Sequence, residues 1–197
     1  AVLSVCCLSF AGLHSFRPHR PLAIACDLEG DGKVERVVLD SGRDPTLAVW
    51  RGEVCLSREV PKRWRPWKLA VADVECDGKK EIVVGVHKAT RFFPSPHNCL
   101  FVYGWDGSRL FRKWLGSSLS KPFTDFAFAD LDRDGAEELV SVEITGGHKR
   151  CIAVYRWSGF GFAFEWERGQ WRDARLTRGQ EGRPVLVADG KRIMLAR

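Results

Sequence analysis

The chain has 197 residues, 45% of them hydrophobic and 28% charged, with eight Trp, twelve Phe and a single Met. That suffices to bury the core of one ordinary domain, and it excludes a disordered or fibrous chain. The net charge is +6, but the basic residues are scattered (Arg17, His19 and Arg20; Lys62, Arg63 and Arg65; Lys149 and Arg150; Arg172, Arg175, Arg178 and Arg183), the pattern of a solvated surface and not of a nucleic-acid module. No apolar run reaches the ~20 residues of a membrane helix, so no membrane span is expected.

Residues 1–13 are apolar and carry two readings, a strand or the remnant of a signal peptide, although no basic stretch precedes them. From there the chain repeats itself. Leu22–Cys26 reads as a strand, followed by Asp27-Leu28-Glu29-Gly30-Asp31-Gly32-Lys33-Val34-Glu35 and a second strand from Arg36 to Leu39. A third strand, Leu47–Trp50, ends in Trp and turns at Arg51-Gly52 into a fourth, Glu53–Arg58. The second unit has strands Leu69–Ala72, Ile82–Val86, Leu100–Trp105 and Arg109–Leu115, with the loop Asp73-Val74-Glu75-Cys76-Asp77-Gly78-Lys79-Lys80-Glu81. The third has Phe126–Ala129, Leu139–Glu143, Cys151–Trp157 and Phe160–Glu167, with the loop Asp130-Leu131-Asp132-Arg133-Asp134-Gly135-Ala136-Glu137-Glu138. Ala174–Thr177, Pro184–Ala188 and Lys191–Ala196 begin a fourth unit whose first loop lacks the Asp triplet and whose fourth strand is missing.

Four antiparallel strands recurring every 46 to 57 residues are the signature of propeller blades. The expected fold is all-β: one small four-bladed propeller over residues 1–197, with units near 20–60, 66–116, 122–168 and a degenerate 171–197 completed by 1–12. The register of Cys7-Leu8-Ser9 against Cys55-Leu56-Ser57 makes the N-terminus an outer strand that pairs with Lys191–Ala196 and closes the ring, removing exposed edges. The signal-remnant reading stays open beside it.

Carboxylates at alternate positions of a tight loop, with a glycine for the turn and a closing acid, suit a hard cation; calcium takes about six to eight oxygens in flexible geometry. The bland alternative is a set of solvated Asp-Gly turns. The unit resembles the FG-GAP/VCBS β-propeller repeat of integrin α-chain heads and many secreted bacterial proteins, over about residues 20–168. The resemblance implies Ca2+ in up to three sites, held by side chains at loop positions one, three, five and nine and a carbonyl at seven. Carried over, the ligands are Asp27, Glu29, Asp31, the Lys33 carbonyl and Glu35; Asp73, Glu75, Asp77, the Lys79 carbonyl and Glu81; and Asp130, Asp132, Asp134, the Ala136 carbonyl and Glu138. Position three is Glu in two loops where the family usually has Asp or Asn, and the Phe-Gly and Gly-Ala-Pro hallmarks are absent. An EF-hand is excluded by the flanking strands and by a closing acid at the ninth position.

Seven cysteines without a CxxC pair and five histidines without metal spacing support neither zinc nor haem. No nucleophile elbow, phosphate loop or HExxH motif appears. The inner strands are small and apolar, which predicts a packed centre and no catalytic channel. The insert Lys88–Asn98, with Phe92, Phe93, Pro94 and Pro96, is a candidate contact surface. The expected function is a non-catalytic, calcium-stabilised, adhesion-type module that binds a protein or a glycan. Its expected setting is extracytoplasmic, where millimolar calcium fills weak sites. The alternatives are a structural subunit of a self-assembling surface structure and, less favoured, a carbohydrate-active propeller enzyme.

Overall fold

The structure is a computed structural model that describes residues 21–179 and 183–195. Its fifteen strands form four antiparallel sheets, arranged as the blades of a four-bladed propeller. Blade 1 is β1 (Leu22–Cys26), β2 (Glu35–Leu39), β3 (Leu47–Arg51) and β4 (Val54–Glu59). Blade 2 is β5 (Lys68–Ala72), β6 (Glu81–Lys88), β7 (His97–Trp105) and β8 (Leu110–Gly116). Blade 3 is β9 (Phe123–Ala129), β10 (Glu138–Ile144), β11 (Arg150–Trp157) and β12 (Phe162–Trp171). Blade 4 is β13 (Ala174–Arg178), β14 (Pro184–Ala188) and β15 (Lys191–Met194), with Gly179 N–H donating to the Arg183 carbonyl at 2.7 Å where β13 turns into β14. Each strand pairs with the next in the chain, as the repeats predict. The proposed closing strand, residues 1–9, lies outside the described residues.

The alternation of side chains along a strand explains how the blades stack. In β6, Ile82, Val84 and Val86 face blade 1 in a cluster with Val37, Leu47, Val49 and Tyr103. Val83, between them, faces blade 3 with Leu100, Val102, Phe126 and Tyr155. In β10, Val140 and Val142 turn to blade 4 and meet Leu186 and Ala188. A middle blade is therefore apolar on both faces, and its central strands read as unbroken apolar runs.

The third and fourth strands of blades 1 to 3 share an irregularity. Their register shifts between Val49 and Trp50, between Val102 and Tyr103, and between Val154 and Tyr155. One extra residue bulges from the fourth strand each time: Leu56, Lys113 and Glu165.

The centre corrects the sequence reading. The first strands line it, but their small residues, Ala70 and Ala127 among them, leave a cavity of about 250 Å³ instead of filling it. Lys68, Asp125 and Arg178 bring charge there: Lys68 pairs with Asp125, whose second oxygen accepts the Leu176 N–H at 2.9 Å. The eight Trp side chains are all buried or half-buried. Trp67 packs edge-on against Phe126 at 5.6 Å, Trp64 against Phe101 at 5.3 Å, and Trp114 against Phe162 at 5.5 Å. No helix of the described residues is long and apolar enough to cross a membrane.

Candidate functional site

The three acidic loops each join the first and second strands of a blade, so antiparallel pairing gathers them at one end of the propeller. They interlock there: Lys80 N–H donates to the Leu28 carbonyl at 2.9 Å, and Glu137 N–H to the Asp73 carbonyl at 2.8 Å. The first Asp of each loop folds the turn around itself. Asp27 accepts the N–H groups of Glu29, Gly30, Asp31 and Gly32, the shortest at 2.7 Å, and these hold its carboxyl below the ordinary range. Asp73 accepts from Asp77 and Gly78, and Asp130 from Asp134 and Gly135. The fifth-position Asp of each loop (Asp31, Asp77, Asp134) accepts the seventh-position N–H of Lys33, Lys79 or Ala136, each at 2.9 Å.

The closing Glu residues are buried: Glu35, Glu81 and Glu138 are 0%, 4% and 2% exposed. One oxygen of each accepts the N–H of loop position two: Leu28 at 3.2 Å, Val74 at 3.3 Å and Leu131 at 2.8 Å. The other oxygen meets a cationic side chain of the same blade. Arg51 reaches Glu35 at 2.6 Å, Lys113 reaches Glu81 at 2.6 Å, and Arg156 reaches Glu138 at 2.9 Å.

The same cations reach the third position in each blade and, in blade 3 alone, the fifth. Arg51 lies 3.4 Å from Glu29, and Lys113 lies 2.5 Å from Glu75. Arg156 pairs with Asp132 at 2.5 Å, with Asp134, and with Glu165 at 3.1 Å. Asp134 is held below its ordinary range, first by its hydrogen bond to Arg156, and Asp31 by its own with Lys33. Burial pushes Glu81 and Glu138 the other way, up. The longer Glu at position three also has a use here. Glu75 spans two blades, taking Lys113 on one oxygen and the Trp157 indole N–H of blade 3 on the other, at 2.8 Å.

The fifteen residues predicted for the loops lie in three interlocked turns, and among the described residues only the third turn brings three of its acids together. The donor set suits a cation: in the third loop, oxygens of Asp130, Asp132 and Glu138 lie within 4.8 Å of one another. The cation at the cluster is nevertheless a guanidinium, which calcium would have to displace. Sequence reading passed over Arg51, Lys113 and Arg156. The available signal was an Arg ending the apolar third strands of blades 1 and 3, opposite a Glu on the second.

The opposite end of the propeller carries a second feature. His87, Phe93, His97, Leu119, Phe123 and Ile144 line a pocket of about 470 Å³ between blades 2 and 3. Its walls are tied to both blades: Asn98 donates its side-chain N–H to the Phe123 carbonyl at 2.8 Å, and His97 lies against the Ser117 carbonyl at 2.5 Å. The insert predicted as a contact surface gives the pocket Phe93, 46% exposed, and carries Phe92, 74% exposed, beside it. Next to the lining residue Ile144 in β10, the buried Glu143 accepts hydrogen bonds from Tyr155 at 2.5 Å and Ser141 at 2.9 Å.

No protein-family model matches this chain, and no curated protein matches it.

Proposed function

We propose that the chain is a rigid, non-catalytic propeller module, a diverged relative of FG-GAP/VCBS repeats, that recognises a protein partner at the junction of blades 2 and 3. The observation that carries this reading is the pocket of about 470 Å³, with the part-exposed Phe93 in its wall and the exposed Phe92 next to it in the chain. Concave, largely apolar, preformed sites with a few placed polar groups are where ligands bind, and aromatic anchors beside them concentrate binding energy. A glycan is the weaker alternative. Sugar recognition needs exposed Trp or Tyr platforms, whereas no Trp here is exposed and both Tyr are buried. An extracytoplasmic adhesion role follows only to the extent that the loops need calcium, because that need is what ties the module to a calcium-rich compartment.

A random peptide library displayed on phage, panned on the wild-type protein and counter-screened on F92A/F93A, tests the reading. Peptides with aromatic or aliphatic anchors should bind wild type in fluorescence polarisation and lose at least ~10-fold affinity on the variant, about 1.4 kcal/mol. The variant should melt like wild type, since both side chains are exposed. Equal binding to both proteins, or no enrichment above an unrelated propeller, refutes the site.

A further inference from the structure

We propose that the cation of these loops is carried by the chain itself, and that Arg51, Lys113 and Arg156 stand in the place a metal ion would take. In all three blades one oxygen of the closing Glu takes the loop backbone and the other faces the cationic side chain, hydrogen-bonded to it in blades 1 and 2 and at 2.9 Å, as an ion pair without a hydrogen bond, in blade 3.

Two positions supply the cation, and they trade roles. The first is the third-strand residue opposite the closing Glu. Continued one residue past the last pairs, Arg36 with Trp50, Ile82 with Tyr103 and Leu139 with Tyr155, strand register puts Arg51 opposite Glu35, Gly104 opposite Glu81 and Arg156 opposite Glu138. The second is the bulged residue of the fourth strand: Leu56, Lys113 and Glu165. Blade 1 has Arg at the first position and an apolar residue at the second. Blade 2 has no side chain at the first, where a Cβ on Gly104 would come within 2.1 Å of the Phe111 ring, and the bulge supplies Lys113 instead. Blade 3 has Arg at the first position, and its bulge supplies Glu165, a further carboxylate for Arg156. A positive charge facing each closing Glu is kept by different residues on different strands. That is the pattern expected if the charge, and not a particular side chain, is what the loop requires.

The chemistry agrees. A planar guanidinium has five donors and bridges several carboxylates, as Arg156 does with Asp132, Asp134, Glu138 and Glu165. Buried carboxylates without a counter-charge are costly, so each cluster needs some cation. Calcium must therefore compete with a tethered side chain for the same oxygens, and the fold needs no calcium-rich compartment to stand.

Thermal unfolding of wild type, R156A and R51A, each in 5 mM EDTA and in 5 mM CaCl2, tests this, with calcium titration calorimetry beside it. Wild type should shift by no more than ~1 °C between the two solutions and give no binding heat. R156A and R51A should melt lower in EDTA, and calcium should bind them and recover most of the loss, because the acids are then free to take it. Two variants on separate blades guard against one that fails to fold. A wild type stabilised by calcium as much as the variants, variants that melt like wild type in EDTA, or variants that calcium does not rescue would each overturn the proposal.

Discussion

Phe126 is the wedge on which blades 2 and 3 turn, and truncating it to alanine reads the strength of blade packing directly. The ring is fully buried, with centroids 5.6 Å from Trp67, 6.4 Å from Phe123 and 6.3 Å from Phe128. It also presses on the β6 backbone at Gly85, where a Cβ would come within 2.8 Å of the ring. Core Phe→Ala changes cost about 3–5 kcal/mol, depending on how far the site collapses. Phe126 also lines the central cavity of about 250 Å³, which can admit water to the vacated space, so the lower end, ~3 kcal/mol, is expected. Against a total of roughly 5–15 kcal/mol, that is a large share of the stability. In urea titration monitored by Trp fluorescence, with a slope of ~2 kcal/mol per molar, the midpoint should fall by ~1.5 M. Phe160→Ala serves as the control, because Phe160 is 90% exposed and its loss should change stability by less than ~0.5 kcal/mol. A loss at Phe126 below ~1 kcal/mol would refute the idea that inter-blade aromatic packing holds the ring.

The two remaining predictions turn on which ionisable groups are buried. Burial holds the Glu143 carboxyl above its ordinary value, despite the hydrogen bonds from Tyr155 and Ser141. The folded chain binds this proton more tightly than the unfolded chain, so the contribution favours folding below the ordinary glutamate range and is lost as pH rises through the raised value. Glu143→Gln, which keeps an accepting oxygen and stays neutral, should therefore gain stability relative to wild type between about pH 4 and about pH 8 in denaturant titrations. A difference that does not move with pH would show that Glu143 is not the group involved. Among the cysteines, Cys76 is exposed, whereas Cys99 and Cys151 are buried and burial raises their thiol pKa. Cys76→Ser should remove one rapidly reacting thiol in a disulfide-exchange assay on the native protein, and Cys99→Ser should leave the fast phase unchanged. The opposite result would place Cys99 at the surface.

The blade pattern was legible in the chain because its signals are local. Leu22–Cys26, Glu35–Leu39 and Leu47–Arg51 are short, mostly apolar runs set apart by the Asp31-Gly32 turn and by the polar stretch 40–46. The loops were legible for the same reason, since an Asp that caps its own turn acts within five residues of itself. Where local signals thinned, boundaries slipped. β9 starts at Phe123 and not Phe126, and β12 runs on to Trp171, because those ends are held by pairing with Glu143 and Arg150.

Sequence by itself thus determined the all-β class, the four-unit count, the order of strands within each blade, and the acids that each loop carries. All of these follow from periodicity and turn chemistry within a hairpin. Only the tertiary structure decided what those acids meet. Arg51 lies 16 residues from Glu35 and Lys113 lies 32 from Glu81, each on a separate strand. Whether such a side chain points into the cluster depends on strand register and on a single bulged residue. Tertiary structure also decided that the centre is open, since small side chains leave space when four blades set the radius and the residues do not. An acidic loop shows on its own that it wants a positive charge; the fold around it decides where that charge comes from.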